Sequence, residues 1–151
     1  MMPYAATKID GRRIVSNALA SDEGLADAVQ QLLSLDKESA KRFVGPTTIT
    51  AYRRVHEVVG STLDRIIEVI RAGRYEELLK SIVDLSRCLI LVKYQVARKQ
   101  LSGDLATSLE TLISHVMGVV RRRSQNVGDI VSRARTLLDA LAVLVYQVGR
   151  K

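Results

Sequence analysis

The chain has no tryptophan, one phenylalanine, one cysteine, two prolines and two histidines among its 151 residues. Each shortage excludes something. With aromatics at 4 %, the core has to be built from Leu, Ile and Val. A single thiol, Cys88, makes no disulfide framework. Inside the apolar run Cys88-Leu89-Ile90-Leu91-Val92 it reads as an inert core residue and fits a reducing compartment. Both prolines, Pro3 and Pro46, precede residue 47, so no proline interrupts a helix beyond that point. No apolar run approaches the roughly 20 residues of a membrane span. Met1 to Asp10 carry no stretch long enough for a signal peptide. The expectation is a soluble, cytoplasmic protein with no membrane partner.

Reactive chemistry is equally scarce. His56 and His115 stand in neither the Glu-x-x-His nor the His-x-x-x-His spacing of helical metal sites. Each reads as a surface or internally satisfied histidine. The sequence has no glycine-rich phosphate loop and no Gly-x-Ser-x-Gly elbow. Its carboxylates, such as Asp64, Glu68, Glu76 and Glu77, suit exposed helix faces. No catalytic residue, no metal site and no cofactor is expected, and an enzyme is the disfavoured reading.

What the chain does have is helix and positive charge. Ser21-Asp22-Glu23 is a helix start, followed by Leu25, Ala28, Val29, Leu32 and Leu33 at helical spacing. A short helix is expected over Arg12–Leu19, and another turn from Asp36 or Ser39 to Gly45-Pro46. Thr47 or Thr48 then caps a long helix to about Ala72, through Val55, Val58, Val59, Thr62, Ile66, Val69 and Ile70. The next helix is predicted from Arg74 to Gln100, with Leu78, Leu79, Ile82, Leu85, Leu89, Val92 and Val96 inward. Asp104 is a plausible N-cap for a helix over Leu105–Arg123, with Leu105, Leu109, Leu112, Ile113 and Val116 inward, and a last helix covers about Asp129–Gly149 through Ile130, Ala134, Leu137, Leu138, Leu141, Leu144, Val145 and Val148. No segment alternates like a strand. Short loops between long helices favour antiparallel neighbours. The predicted fold is an all-α, up-down bundle of four main helices with one or two short N-terminal helices. Residues 1–46 form a helical extension and 47–151 the basic bundle, together one compact domain.

The charge is unevenly placed. Residues 1–46 hold six basic and six acidic residues, 47–103 ten and six, and 104–151 seven and four, so the whole net charge of +7 lies beyond residue 46. A basic helical domain without reactive groups points to a polyanion partner. Three clusters stand out. Arg53 and Arg54 oppose the macrodipole near a helix N-terminus, which favours a ligand or partner role over stabilisation of that end. Arg87, Lys93, Arg98 and Lys99 lie in a stretch free of acidic residues, and Arg87, Leu91, Tyr94 and Arg98 share one face. A Tyr between two Arg could stack a base while the guanidinium groups hold phosphates. Arg98 and Lys99 also suit a helix C-terminus, and the two readings weigh equally. Arg121, Arg122 and Arg123 splay around the end of a helix, where the dipole explanation is the stronger one.

Three stretches in the region after residue 45 belong together: Thr47-Thr48-Ile49-Thr50-Ala51-Tyr52-Arg53-Arg54-Val55, Leu91-Val92-Lys93-Tyr94-Gln95-Val96-Ala97-Arg98, and Ala142-Val143-Leu144-Val145-Tyr146-Gln147. In this order they resemble the small-subunit family of type III-A CRISPR effector (Csm) complexes. The first is similar to the family's Thr/Ser-rich helix start, the second to its Leu-x-Tyr-Ala-x-Gly-Arg stretch, the third to its terminal apolar helix. Ala51 and Ala97 replace the family's usual Gln and Gly, and Gln147 or Val148 its terminal His. The resemblance implies a non-catalytic antiviral-defence subunit that stacks in several copies beside other effector subunits. A basic groove in each would hold target RNA along the guide–target path. Arg53 and Arg98 match the family's basic positions; Arg54, Arg87, Lys93, Lys99, Arg121, Arg122 and Arg123 join them on charge alone. Self-association is then expected, and RNA contacts would be indifferent to sequence. The alternative is a helical adaptor or oligomerisation protein whose cations meet acidic protein surfaces.

Overall fold

The structure, a computed structural model, describes residues 9–151, all but two residues of the Met1–Asp10 segment falling outside them. It is all-α, with seven helices among the described residues: α1 (Gly11–Ala20), α2 (Asp22–Leu33), α3 (Lys37–Val44), α4 (Ile49–Arg71), α5 (Leu78–Ala97), α6 (Gly103–Arg122) and α7 (Val127–Val148). A single 3₁₀ turn, Tyr75–Glu77, leads into α5. The N-terminal part thus folds as three short helices where one or two are expected. None of the helices is long and apolar enough to cross a membrane.

Local chemistry explains most helix starts. Side chains of Asp10, Ser21, Asp36 and Thr48 accept hydrogen bonds from the backbone N–H groups of Arg12, Gly24, Ser39 and Ala51. Each satisfies a donor that the first helical turn leaves free. The expected cap at Asp104 is a correction. The helix starts two residues earlier than expected, at Gly103, and the Asp104 carboxylate instead accepts from Gly11 N at 3.4 Å, 93 residues away. It therefore holds the N-terminus of α1 against the start of α6. The contact is tight: a Cβ on Gly11 would stand 2.5 Å from the Asp104 carbonyl oxygen. The helix expected from Arg74 begins only at Leu78.

The four long helices form the bundle, with α4 packed on α5 and α7, and α6 on the same two. The short helices cover one side of it, α1 and α3 on α6 and α7, and α2 on α7. One hydrophobic core runs through both parts, from Val15, Leu19, Leu32 and Phe43 to Leu63, Leu85, Leu109 and Leu141. Cys88 lies within it, its thiol donating to Thr62 Oγ1 at 3.4 Å, and burial pushes its pKa up, as befits an unreactive core residue. The inward stripes hold on α4, α6 and α7, but Leu79 is a correction: it is 66 % exposed, one turn out of the core.

One end of the bundle is clasped by backbone. Arg150 N donates to Thr47 O at 2.8 Å, Ile49 N to Arg150 O at 2.7 Å, and Thr48 N to Gln100 O at 3.0 Å. The fully buried Thr47 hydroxyl donates to Val44 O at 2.6 Å and accepts from Ser102 N at 3.2 Å. Thr47→Val keeps the shape and leaves a buried carbonyl and N–H short of a partner. It should lower unfolding stability by about 2 kcal/mol, read as a shift in the urea midpoint.

Candidate nucleic-acid interface

The clasp gathers helix ends from three parts of the chain: the start of α4, the end of α5 and the end of α7. Side-chain contacts fix how the helices sit in register. Arg65 of α4 pairs with Asp84 of α5 at 3.2 Å, and Thr48 N meets Gln100 O near the other end of the same antiparallel pair. Arg54 lies eleven residues before Arg65, three turns along, and so returns to the α5 side of α4. There it is level with Tyr94 and Gln95. On the other flank, Arg53 Nε donates to Tyr146 Oη of α7 at 3.4 Å, and its guanidinium lies 5.9 Å from that ring's centre.

A row therefore crosses three helices at one level: Tyr146 on α7, Arg53 and Arg54 on α4, Tyr94 and Arg98 on α5. The Arg98 guanidinium stands 5.4 Å from the centre of the Tyr94 ring. Both tyrosines are about half exposed, at 50 % and 55 %, so each offers a free edge or face beside an Arg. The Arg53–Tyr146 contact also explains how two arginines sit where the macrodipole disfavours them: one is held by a neighbouring ring. Arg150 and Lys151, which the clasp brings beside the start of α4, are exposed and add charge to the same end. Sequence reasoning omitted both, because only the clasp connects them to α4.

The remaining candidates are placed differently. Arg87 is exposed and pairs with Asp84 at 3.4 Å, and Lys93 pairs with Glu110 of α6 at 3.2 Å. Arg87, Leu91, Tyr94 and Arg98 do share a face of α5, with Leu91 half-buried at its inner margin. Arg121, Arg122 and Arg123 close α6 at the opposite end of the bundle. With α6 20 residues long, about 30 Å separates them from the clasped end. They do not join the row. The outer face of α4 beyond Arg54 turns acidic, with Glu57, Asp64 and Glu68 exposed. These carboxylates separate the cations of the clasped end from the exposed Arg71 and Arg121–Arg123 farther along the bundle.

Lys99 adds a conformational signal. It closes α5 in the left-handed region (φ 61°), with Lys99 N on Val96 O and Gln100 N on Gln95 O. This is the position that glycine usually fills in this helix ending. A lysine there costs backbone energy relative to glycine, as does Arg123 (φ 51°) at the end of α6.

Two other arginines of α7 are structural. Arg133 donates to Asp22 at 3.0 Å and to the Leu19 carbonyl at 3.2 Å, closing the end of α1. Arg135 bridges Asp64 at 3.0 Å and Asp139 at 2.6 Å, and His56 meets the same Asp139 oxygen at 2.9 Å. Partial burial opposes ionisation of Asp139, but the hydrogen bonds and charges of His56 and Arg135 outweigh it and hold its pKa below the usual carboxylate range. Burial and then the charge of Arg122 push the pKa of His115 down. Among the described residues, no three His, Cys, Asp or Glu side chains are grouped to hold a metal.

No protein-family model, curated protein or solved structure matches the chain. The depressed pKa of Asp139 carries its own pH dependence. Its stabilisation is present above pH 4 or so and is lost as pH falls through the folded value. Asp139→Asn should therefore be less stable than the parent near neutrality. The gap between the two urea midpoints should close as the pH is taken below about 4.

Proposed function

We propose that this chain is a non-catalytic subunit that holds single-stranded RNA on the clasped end of its bundle. One observation carries the reading: the level row Tyr146–Arg53–Arg54–Tyr94–Arg98, with Lys99, Arg150 and Lys151 around it. Guanidinium groups take phosphate oxygens in bidentate fashion. Exposed rings beside them stack bases of any identity. Such a surface grips the strand without reading it. Among the functions open to a basic helical domain, this one uses the tyrosines as well as the charge.

The resemblance to Csm small subunits supplies the setting. The protein would be one of several copies in a type III CRISPR effector, lying along the guide–target path beside subunits that do the chemistry. Sequence would be read there by guide–target pairing. Arg53 and Arg98, the two positions carried over from that family, both fall within the row. One bundle offers few contacts, so avidity from neighbouring copies would do much of the holding.

Fluorescence anisotropy with labelled single-stranded RNA, repeated across salt, tests the reading. Arg54→Glu and Arg98→Glu should each weaken binding about tenfold and flatten the log–log salt slope by about 0.7 per lost phosphate contact. Arg122→Glu, at the far end, should change little. Lys99→Gly separates function from stability: it should raise the melting midpoint by about 3 °C by relieving the left-handed lysine, yet weaken RNA binding. Full affinity in both row variants would sink the proposal. Salt-insensitive self-association without RNA binding would instead favour an adaptor that meets acidic protein surfaces.

A further inference from the structure

The outer face of α5 is built unlike the other long helix that turns a free face to solvent. On α4, that face carries Glu57, Ser61, Asp64 and Glu68, all exposed and polar. On α5, the corresponding line is Leu79, Val83, Ser86, Ile90 and Tyr94, spaced four, three, four and four residues apart. Leu79 is 66 % exposed, Val83 52 % and Ile90 66 %. Spacing of that kind makes one continuous stripe along the helix, about 22 Å from end to end. Between Ser86, Leu89, Ile90, Lys93 and Tyr94 it dips into a shallow depression lined almost wholly by carbon. The helices packed on α5 are α4 and α6, one on each flank, and α1 to α3 pack on the α6 and α7 side. A four-turn line of this kind on one exposed helix is the pattern of a helix-in-groove or helix-on-helix contact.

Charge decides what covers it. The stripe is edged by Lys80 and Arg87 on the α4 side and, on the α6 side, by Lys93, which is paired with Glu110. Asp84 is the one carboxylate of α5, and it is already shared by Arg65 and Arg87. A second copy laid antiparallel on the same stripe would set the two Arg87 side chains against each other at the centre of one edge. Like charges at such flanking positions repel and select against that pairing. An amphipathic helix with Glu or Asp at its edges meets the same cations favourably. We infer that the outer face of α5 docks an acidic-edged amphipathic helix of another protein, with Leu79, Val83 and Ile90 as the apolar anchors and Lys80, Arg87 and Lys93 as the charged rim. This surface is separate from the RNA row except at Tyr94, so neither reading depends on the other.

The test uses the full chain and two synthetic three-heptad peptides with the same Leu/Ile stripe, one edged with Glu and one with Lys. Calorimetry should show binding of the Glu-edged peptide and none of the Lys-edged one. Ile90→Asp should weaken the Glu-edged peptide about tenfold, while helix content by circular dichroism and RNA affinity stay unchanged. Lys80→Glu with Arg87→Glu should reverse the preference between the two peptides, a result that partial unfolding cannot mimic. Equal binding of both peptides, or binding of neither, would overturn the inference. So would self-association of the parent that Ile90→Asp abolishes, since the face would then be a contact between copies. A matching loss of RNA affinity in Ile90→Asp would assign the stripe to RNA instead.

Discussion

Thr47 is the residue on which the arrangement of this bundle turns. Its hydroxyl joins the end of α3 to the start of α6, and its carbonyl receives Arg150 N from the chain beyond α7. With the neighbouring bonds of Thr48 and Ile49, it supplies partners for backbone groups that helix ends leave free. The same few atoms therefore fix five helix ends, those of α3, α4, α5, α6 and α7, at one level. The clasp is polar and centred on the fully buried Thr47, so its geometry is specific in a way that apolar packing alone is not. Because α7 must finish beside the start of α4, Tyr146 is brought to Arg53. Because α5 must finish there too, Tyr94 and Arg98 come to the level of Arg54.

The bundle that results is asymmetric. Three short helices bury the α6 and α7 side, and Arg133 ties them down by reaching back to Asp22 and the end of α1. The α4 and α5 side remains open, and its two helices divide the surface between them. The exposed face of α4 is acidic beyond its first turns, that of α5 apolar with a cationic rim. Under the proposed function, the carboxylates of α4 would steer a polyanion toward the clasped end. A compact area with two ring–guanidinium pairs suits a short stretch of flexible strand better than a rigid duplex.

Most of the fold is legible in the sequence because helix starts and stripes are local. Ser21, Asp36 and Thr48 cap within three residues, and the stripes of α4, α6 and α7 point inward as their spacing says. What stays hidden depends on distant partners. Asp104 looks like a cap for its own helix, yet its carboxylate serves Gly11 across the fold. Arg133 and Arg135 look like cations at the wrong end of a dipole until Asp22, Asp64 and Asp139 are brought to them. Leu79 fits an inward stripe by composition, and only the placement of α4 and α6 shows that it points out. In the candidate site, the face shared by Arg87, Tyr94 and Arg98 follows from spacing alone. Its junction with Arg53 and Tyr146, and the exclusion of Arg121–Arg123, follow from the topology.

The central claim is that RNA contacts this protein at the clasped end and nowhere else on the basic surface. Titrating a short single-stranded RNA into isotope-labelled protein and following its amide and arginine side-chain NMR signals tests that directly. The account predicts shifts concentrated at residues 50–54, 94–100 and 146–151, with residues 121–126 unmoved. Shifts centred on Arg121, Arg122 and Arg123, or none at saturating RNA in low salt, would contradict it.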